Sequence, residues 1–169
     1  MSSVIALVDF SRCSNSIEEC LLLARSVKLD LMGPYTDLTR QRLTDLRQSL
    51  LRLHKTLLDS ERVAYERVHG RVASRGELFQ LVVGHEWFAW LHKISELVVH
   101  IDEMLDAEEA VTPADATRVI DQTRILLKPS EEGDGFSKHY YDALQRDPDV
   151  VLAHAAMKKQ LRKSVFHLN

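Results

Sequence analysis

Apolar residues recur every three or four positions over most of this chain. Leu43, Leu46, Leu50, Leu53 and Leu57 are spaced 3, 4, 3 and 4 apart, and the seam continues through Ala64 and Val68. A stripe of this period faces partner helices along one side of an α-helix. It predicts a long helix over about residues 36–69, stopped by Gly70. A second stripe, Trp87, Leu91, Ile94, Val98, Ile101 and Leu105, predicts another long helix over about 75–106. Ser74 and Glu77 form the capping box that would open it.

Shorter helices flank this pair. Ser16 and Glu19 have capping-box spacing and open a helix near 16–29, which Gly33-Pro34 should break. Thr112, Pro113 and Asp115 read as N-cap, first helical residue and N3 of a helix near 113–128, ended by Pro129. After the loop-like run Ser130 to Gly135, Phe136, Tyr140 and Leu144 mark a helix near 136–146. Asp147-Pro148 starts the last, near 148–166, with Val150, His154, Met157, Leu161 and Val165 as its stripe. Only Val4 to Val8 has strand character, and one strand is not a sheet. The expectation is an all-α, up-and-down bundle of about six helices, two of them long. Residues 1–35 read as an N-terminal arm or an accessory helix, and 36–169 as the bundle domain.

Composition narrows the function classes. A formal net charge of −3 lacks the clustered basic excess of a nucleic-acid-binding domain. The arginines between Arg40 and Arg75 are interleaved with carboxylates, as on a solvated helix face. No apolar run reaches the length of a membrane span, and Met1 to Phe10 lacks the features of a signal peptide. Cys13 and Cys20 match neither a C-x-x-C motif nor a zinc spacing, so free thiols and a cytoplasmic location are expected. No nucleotide-binding, P-loop, zinc-protease or nucleophile-elbow motif occurs. No cofactor is predicted, and the class of activity leans away from an enzyme.

Histidines are the remaining source of chemistry. His92, Glu96 and His100 stand four apart on one helix row, a spacing that metal-binding helices use, but the row points away from the apolar stripe. His54 and Glu61 fall within about 40° of Leu50 on their helix, at roughly 100° per residue. His154 sits in the middle of its own stripe. His54, Glu61 and His154 are therefore expected to face the interior, where polar groups need partners. A structural network, a ligand pocket and a metal site all remain open for them. His54 and Glu61 are about 10 Å apart along the axis and belong to different layers.

Trp87, Phe88, Trp90 and Leu91 make their helix apolar around much of its circumference. Such a helix is either central or buries a second face against another chain. The leading expectation is a non-enzymatic bundle that acts by protein–protein interaction or self-association, with these four residues as the interface and a homodimer or protein partner on the far side. The alternative is a small-ligand or metal-binding bundle, possibly an enzyme, built around His54, Glu61 and His154.

Overall fold

The computed structural model describes the backbone of residues 17–133 and 135–163, and the side chains from Asp37 onward within those ranges. Every regular element among them is helical: α1 (Ile17–His69), α2 (Arg75–Gly84), a 3-10 helix (Glu86–Leu91), α3 (His92–Asp106), α4 (Pro113–Leu126), α5 (Gly135–Arg146) and α6 (Pro148–Lys163). The all-α bundle expected from periodicity is what the chain forms. None of the described helices is long and apolar enough to cross a membrane. Cys13, Ser16 and Val165, and the side chains of Cys20 and Glu19, lie outside the described residues.

The leucine seam organises the bundle. Leu43, Leu46, Leu50, Leu53 and Leu57 of α1 are buried together with Ile94, Val98 and Ile101 of α3, Val119 and Ile120 of α4, and Met157 and Leu161 of α6. Burying each such side chain contributes roughly 1.5–3 kcal/mol. The seam stops sooner than its spacing implies. Ala64 is only half-buried, and Val68 is 67% exposed. The cause is the length of the covering arm, whose Trp87 already lies beside Glu61.

Beside the seam runs a polar row on α1: Arg40, Arg47, His54 and Glu61, each seven residues from the next. A seven-residue step returns nearly to the same face of a helix. All four side chains reach the same neighbouring arm. Arg40 donates to the Leu105 carbonyl at 2.7 Å, and Arg47 pairs with Asp102. His54 Nε2 meets Ser95 Oγ at 3.3 Å, and Glu61 accepts from Trp87 Nε1 at 2.9 Å. Residue numbers fall along α1 as they rise along the arm, so the 3-10 helix and α3 run antiparallel to α1.

Two helix boundaries correct the sequence reading. Gly33-Pro34 does not end a helix; α1 continues through it for 53 residues, about 80 Å. Pro34 lacks the N–H that would bond the carbonyl four residues back, a cost of about 3 kcal/mol. The good helix formers on both sides, from Glu18 to Met32 and from Leu38 onward, keep the backbone helical across it. Residues 17–35 are thus the first part of α1 and not a separate accessory helix.

The second correction is that the helix expected over 75–106 is three pieces. After Gly84, His85 adopts an extended backbone (φ −99°, ψ 133°), and its Nδ1 accepts the Trp87 N–H at 3.1 Å. The next six residues wind as a 3-10 helix, in which positions three apart eclipse. Phe88 and Leu91 therefore share the inward row and are fully buried, and Trp90 is buried beside them. The α-helical pairing of Trp87 with Leu91 does not form, and Trp87 is half-buried at the edge. His92 then donates from Nε2 to the Val82 carbonyl at 2.8 Å, tying the start of α3 back to α2.

Capping follows the sequence closely elsewhere. Thr112 and Asp115 form a full capping box at α4. Ser74 Oγ accepts from Glu77 N, but the Glu77 carboxylate reaches back to Ala73 N and not to Ser74. Asp147 accepts from Asp149 N at 2.9 Å with Pro148 in the first position of α6.

Glu61 is 5% exposed and is also paired with Arg146 at the end of α5. One carboxylate thus holds α1, the 3-10 helix and α5 together. Glu61→Ala leaves the Trp87 N–H and the Arg146 guanidinium without their acceptor, and should cost about 3 kcal/mol in urea unfolding. Glu61→Gln keeps an acceptor for Trp87 and should cost clearly less. Equal losses in the two variants would show that charge, and not the indole bond, dominates.

Candidate functional site

The three interior polar residues expected from the sequence do not meet. His54 pairs with Ser95, Glu61 with Trp87 and Arg146, and His154 with Tyr140. No group of three or more His, Cys, Asp or Glu side chains among the described residues is arranged to hold a metal ion. His92, Glu96 and His100 do not converge either: His92 is half-buried on Val82, Glu96 bonds Lys93, and His100 is exposed.

The four proposed interface residues also sort differently. Phe88, Trp90 and Leu91 are spent inside the chain's own core, and Trp87 donates to Glu61. They offer little surface to a second chain, because the 3-10 winding turns them inward. At the open end of the bundle, Trp87 instead joins a closed aromatic cluster. Tyr65 stacks on His69 with centroids 4.4 Å apart, and the His85 and Trp87 rings meet Tyr65 edge-on at 5.3 and 5.8 Å. Tyr65, His85 and Trp87 are half-buried and His69 is exposed, so the cluster lies at the margin of the core.

Unused apolar surface appears on α2. Its sequence from Leu78 to Val83 is apolar apart from Gln80, yet none of its residues is buried. Phe79 is 63% exposed and Val83 59%. Leu78, Leu81 and Val82 pack partly against the core. The break at His85 is responsible: it frees α2 from the phase of α3, so α2 rests on the 3-10 helix by one side only. Position 79 carries no periodic signal in a continuous 75–106 helix, which is why sequence reasoning passed over it.

A concavity of about 520 Å³ lies between α4 and α6. Leu127, Met157 and Leu161 form its floor, and Val151 and Ala155 line one wall. Arg124, Lys128, Lys158 and Arg162 stand around it, and no carboxylate among the described residues lines it. Arg124 is committed: it bonds Asp121 at 2.6 Å and the Leu161 carbonyl at 2.9 Å, bridging α4 to α6. Among the described residues no carboxylate pairs with Lys128, Lys158 or Arg162.

His154 belongs to the wall of this groove. Its Nδ1 lies 2.6 Å from the hydroxyl of Tyr140, which is fully buried. Burial pushes the Tyr140 phenol far above its usual range, so it keeps its proton. That proton needs an acceptor, and Nδ1 supplies one. The neutral imidazole then carries its own proton on Nε2. Burial, and next the Lys158 ammonium, hold His154 below the usual histidine value of 6.5. Burial, then His92, lowers His54 in the same direction.

These shifts have a definite sign in stability. Above pH 6.5 both histidines are neutral folded or unfolded and contribute nothing. As pH falls below 6.5 the unfolded chain protonates first, so it binds more protons and gains population. The melting temperature should therefore drop as pH falls from about 7 toward 5, with the loss levelling off below the folded-state values. Thermal unfolding of His54→Gln and His154→Gln should each show a shallower pH slope than the parent. An unchanged slope in both would contradict the neutral, desolvated state of these rings.

No protein-family model, curated protein or solved structure matches this chain.

Proposed function

We propose that this chain is a non-enzymatic bundle that works by self-association, with α2 as the contact. The carrying observation is a ten-residue helix with no buried residue that turns Phe79 and Val83 to the outside. Removing such side chains from water is favourable at roughly 25 cal/mol per Å². The six residues from Leu78 to Val83 carry no charge, so they offer nothing to a charged partner surface. A second copy of the same face is complementary to it, because a two-fold interface buries one patch against itself. Arg75 and Glu77, at the start of α2, would flank such a contact with opposite charges.

The reading also draws on what the polar side chains are doing. His54 and Glu61 are occupied in joining helices, which leaves them no obvious catalytic task. The contact is placed on α2 and not on Trp87–Leu91, since the latter are used internally.

Light scattering coupled to size-exclusion chromatography tests this directly. The parent protein should shift from monomer to dimer as its concentration rises through the micromolar range. Phe79→Asp should remain monomeric and folded, since Phe79 is 63% exposed and lies outside the buried core. A parent protein that stays monomeric throughout, or a Phe79→Asp variant that still dimerises, would sink the proposal.

A further inference from the structure

The groove between α4 and α6 is separate from α2 and carries its own chemistry. Three features coincide there. Its floor is apolar, formed by Leu127, Met157 and Leu161. The rim charges that no described carboxylate pairs, Lys128, Lys158 and Arg162, are all positive. In addition, His154 presents a neutral ring whose remaining donor is Nε2–H, fixed by the buried Tyr140 hydroxyl at Nδ1. Like charges gathered without counter-charges raise the local potential and favour an anion. An apolar floor beneath them favours a ligand with a hydrocarbon part.

We propose that this groove binds a small single-chain amphiphile, its carboxylate or phosphate head held by Lys128, Lys158 and Arg162 and its tail laid over Leu127, Val151 and Leu161. Size separates this occupant from a partner helix. A volume of about 520 Å³ lies within the range of roughly 300–1,000 Å³ typical of small-molecule sites. A three-turn helix about 10 Å across takes up on the order of 1,200 Å³ and would overfill it. Concavity separates it from a membrane surface: Leu127, Met157 and Leu161 of the lining are buried, whereas Lys128, Lys158 and Arg162 are exposed.

The two arms of i,i+4 geometry on α6 explain how the sequence builds the site. Val151, Ala155, Lys158 and Arg162 stand three or four residues apart and share one face. That face is apolar in its first half and basic in its second. The opposite wall repeats the combination with Leu127 and Lys128. Arg124 sets the separation of the walls through its bonds to Asp121 and Leu161.

Calorimetric titration with dodecanoate, kept below its micelle-forming concentration, supplies the test. Saturable one-to-one binding is expected, with acetate weaker by at least about tenfold because it lacks the tail. The double variant Lys158→Glu/Arg162→Glu should weaken dodecanoate binding by at least about tenfold, while Lys93→Glu, outside the groove, leaves it unchanged. Ala155→Trp fills the groove from an exposed position and should have a similar effect without disturbing the core. The His154 ring, followed by NMR, should titrate at higher pH in the dodecanoate complex, because the bound head offsets the Lys158 charge. Equal affinity for acetate, indifference to both variants, or an unmoved His154 titration would overturn the assignment. So would tight binding to phosphatidylglycerol vesicles without saturable binding of free dodecanoate. Since Phe79 lies outside the groove, dodecanoate binding by Phe79→Asp separates a failure here from a failure of the α2 contact.

Discussion

A single buried carboxylate sets the geometry of this bundle. Glu61 sits in the low-polarity interior next to the last leucines of the α1 seam, where an uncompensated charge is costly. Two donors from different elements compensate it, the Trp87 indole N–H and the Arg146 guanidinium. Meeting both fixes where the 3-10 helix begins beside α1 and where α5 ends. From that point Ser95, Asp102 and Leu105 fall in register with His54, Arg47 and Arg40 down the length of α1. Leucine burial supplies most of the driving force, but leucines slide past one another easily. A row of specific polar pairs at the edge of the seam selects one alignment, the role that isolated polar positions play in coiled coils.

The same arrangement explains the break at His85. A continuous α-helix would bring Trp87 and Leu91 to one face and would leave Phe88 on another. The 3-10 winding groups Phe88 with Leu91 and Trp87 with Trp90 instead. It thereby sends Phe88 and Leu91 into the core, with Trp90 buried beside them, while leaving the Trp87 indole N–H beside Glu61. His85 serves as the N-cap of the new segment, and His92 anchors its far end to α2. The cost of this solution falls on α2, which can no longer bury its own apolar residues. An apolar helix resting on the bundle by one edge is thus a consequence of satisfying Glu61 and filling the core.

Histidine chemistry divides along the same lines. His54 is one rung of the polar row, and His85 and His92 shape the chain turn. His154 is different, because its hydroxyl partner lies behind it in the core while its own side chain borders an open, cation-rimmed groove. Tyr140 can hold the ring in one tautomer because burial keeps the phenol protonated. Among His54, Glu61 and His154, only His154 borders the α4–α6 groove, and it is held there by the Tyr140 hydroxyl.

The helical class, the leucine seam, the starts of α4 and α6 and the inward direction of Glu61 were all legible in the order of residues. These follow from interactions within three or four residues of chain, which periodicity and capping rules describe. Where a helix ends is set by packing between distant segments when the competition is non-local. Gly33-Pro34 reads as a stop, yet α1 continues; Gly84-His85 gives little warning, yet the chain breaks there. The second outcome depends on Glu61, 26 residues away from Trp87, and no local pattern contains that distance. For the same reason Trp87, expected on the core stripe, is only half-buried and Phe88, expected well off it, is fully buried, while Leu91 and the stripe from Ile94 to Ile101 are buried as expected. The α4–α6 groove was likewise beyond the sequence, since its basic rim and apolar floor come from two helices that approach only after α1 has packed against both.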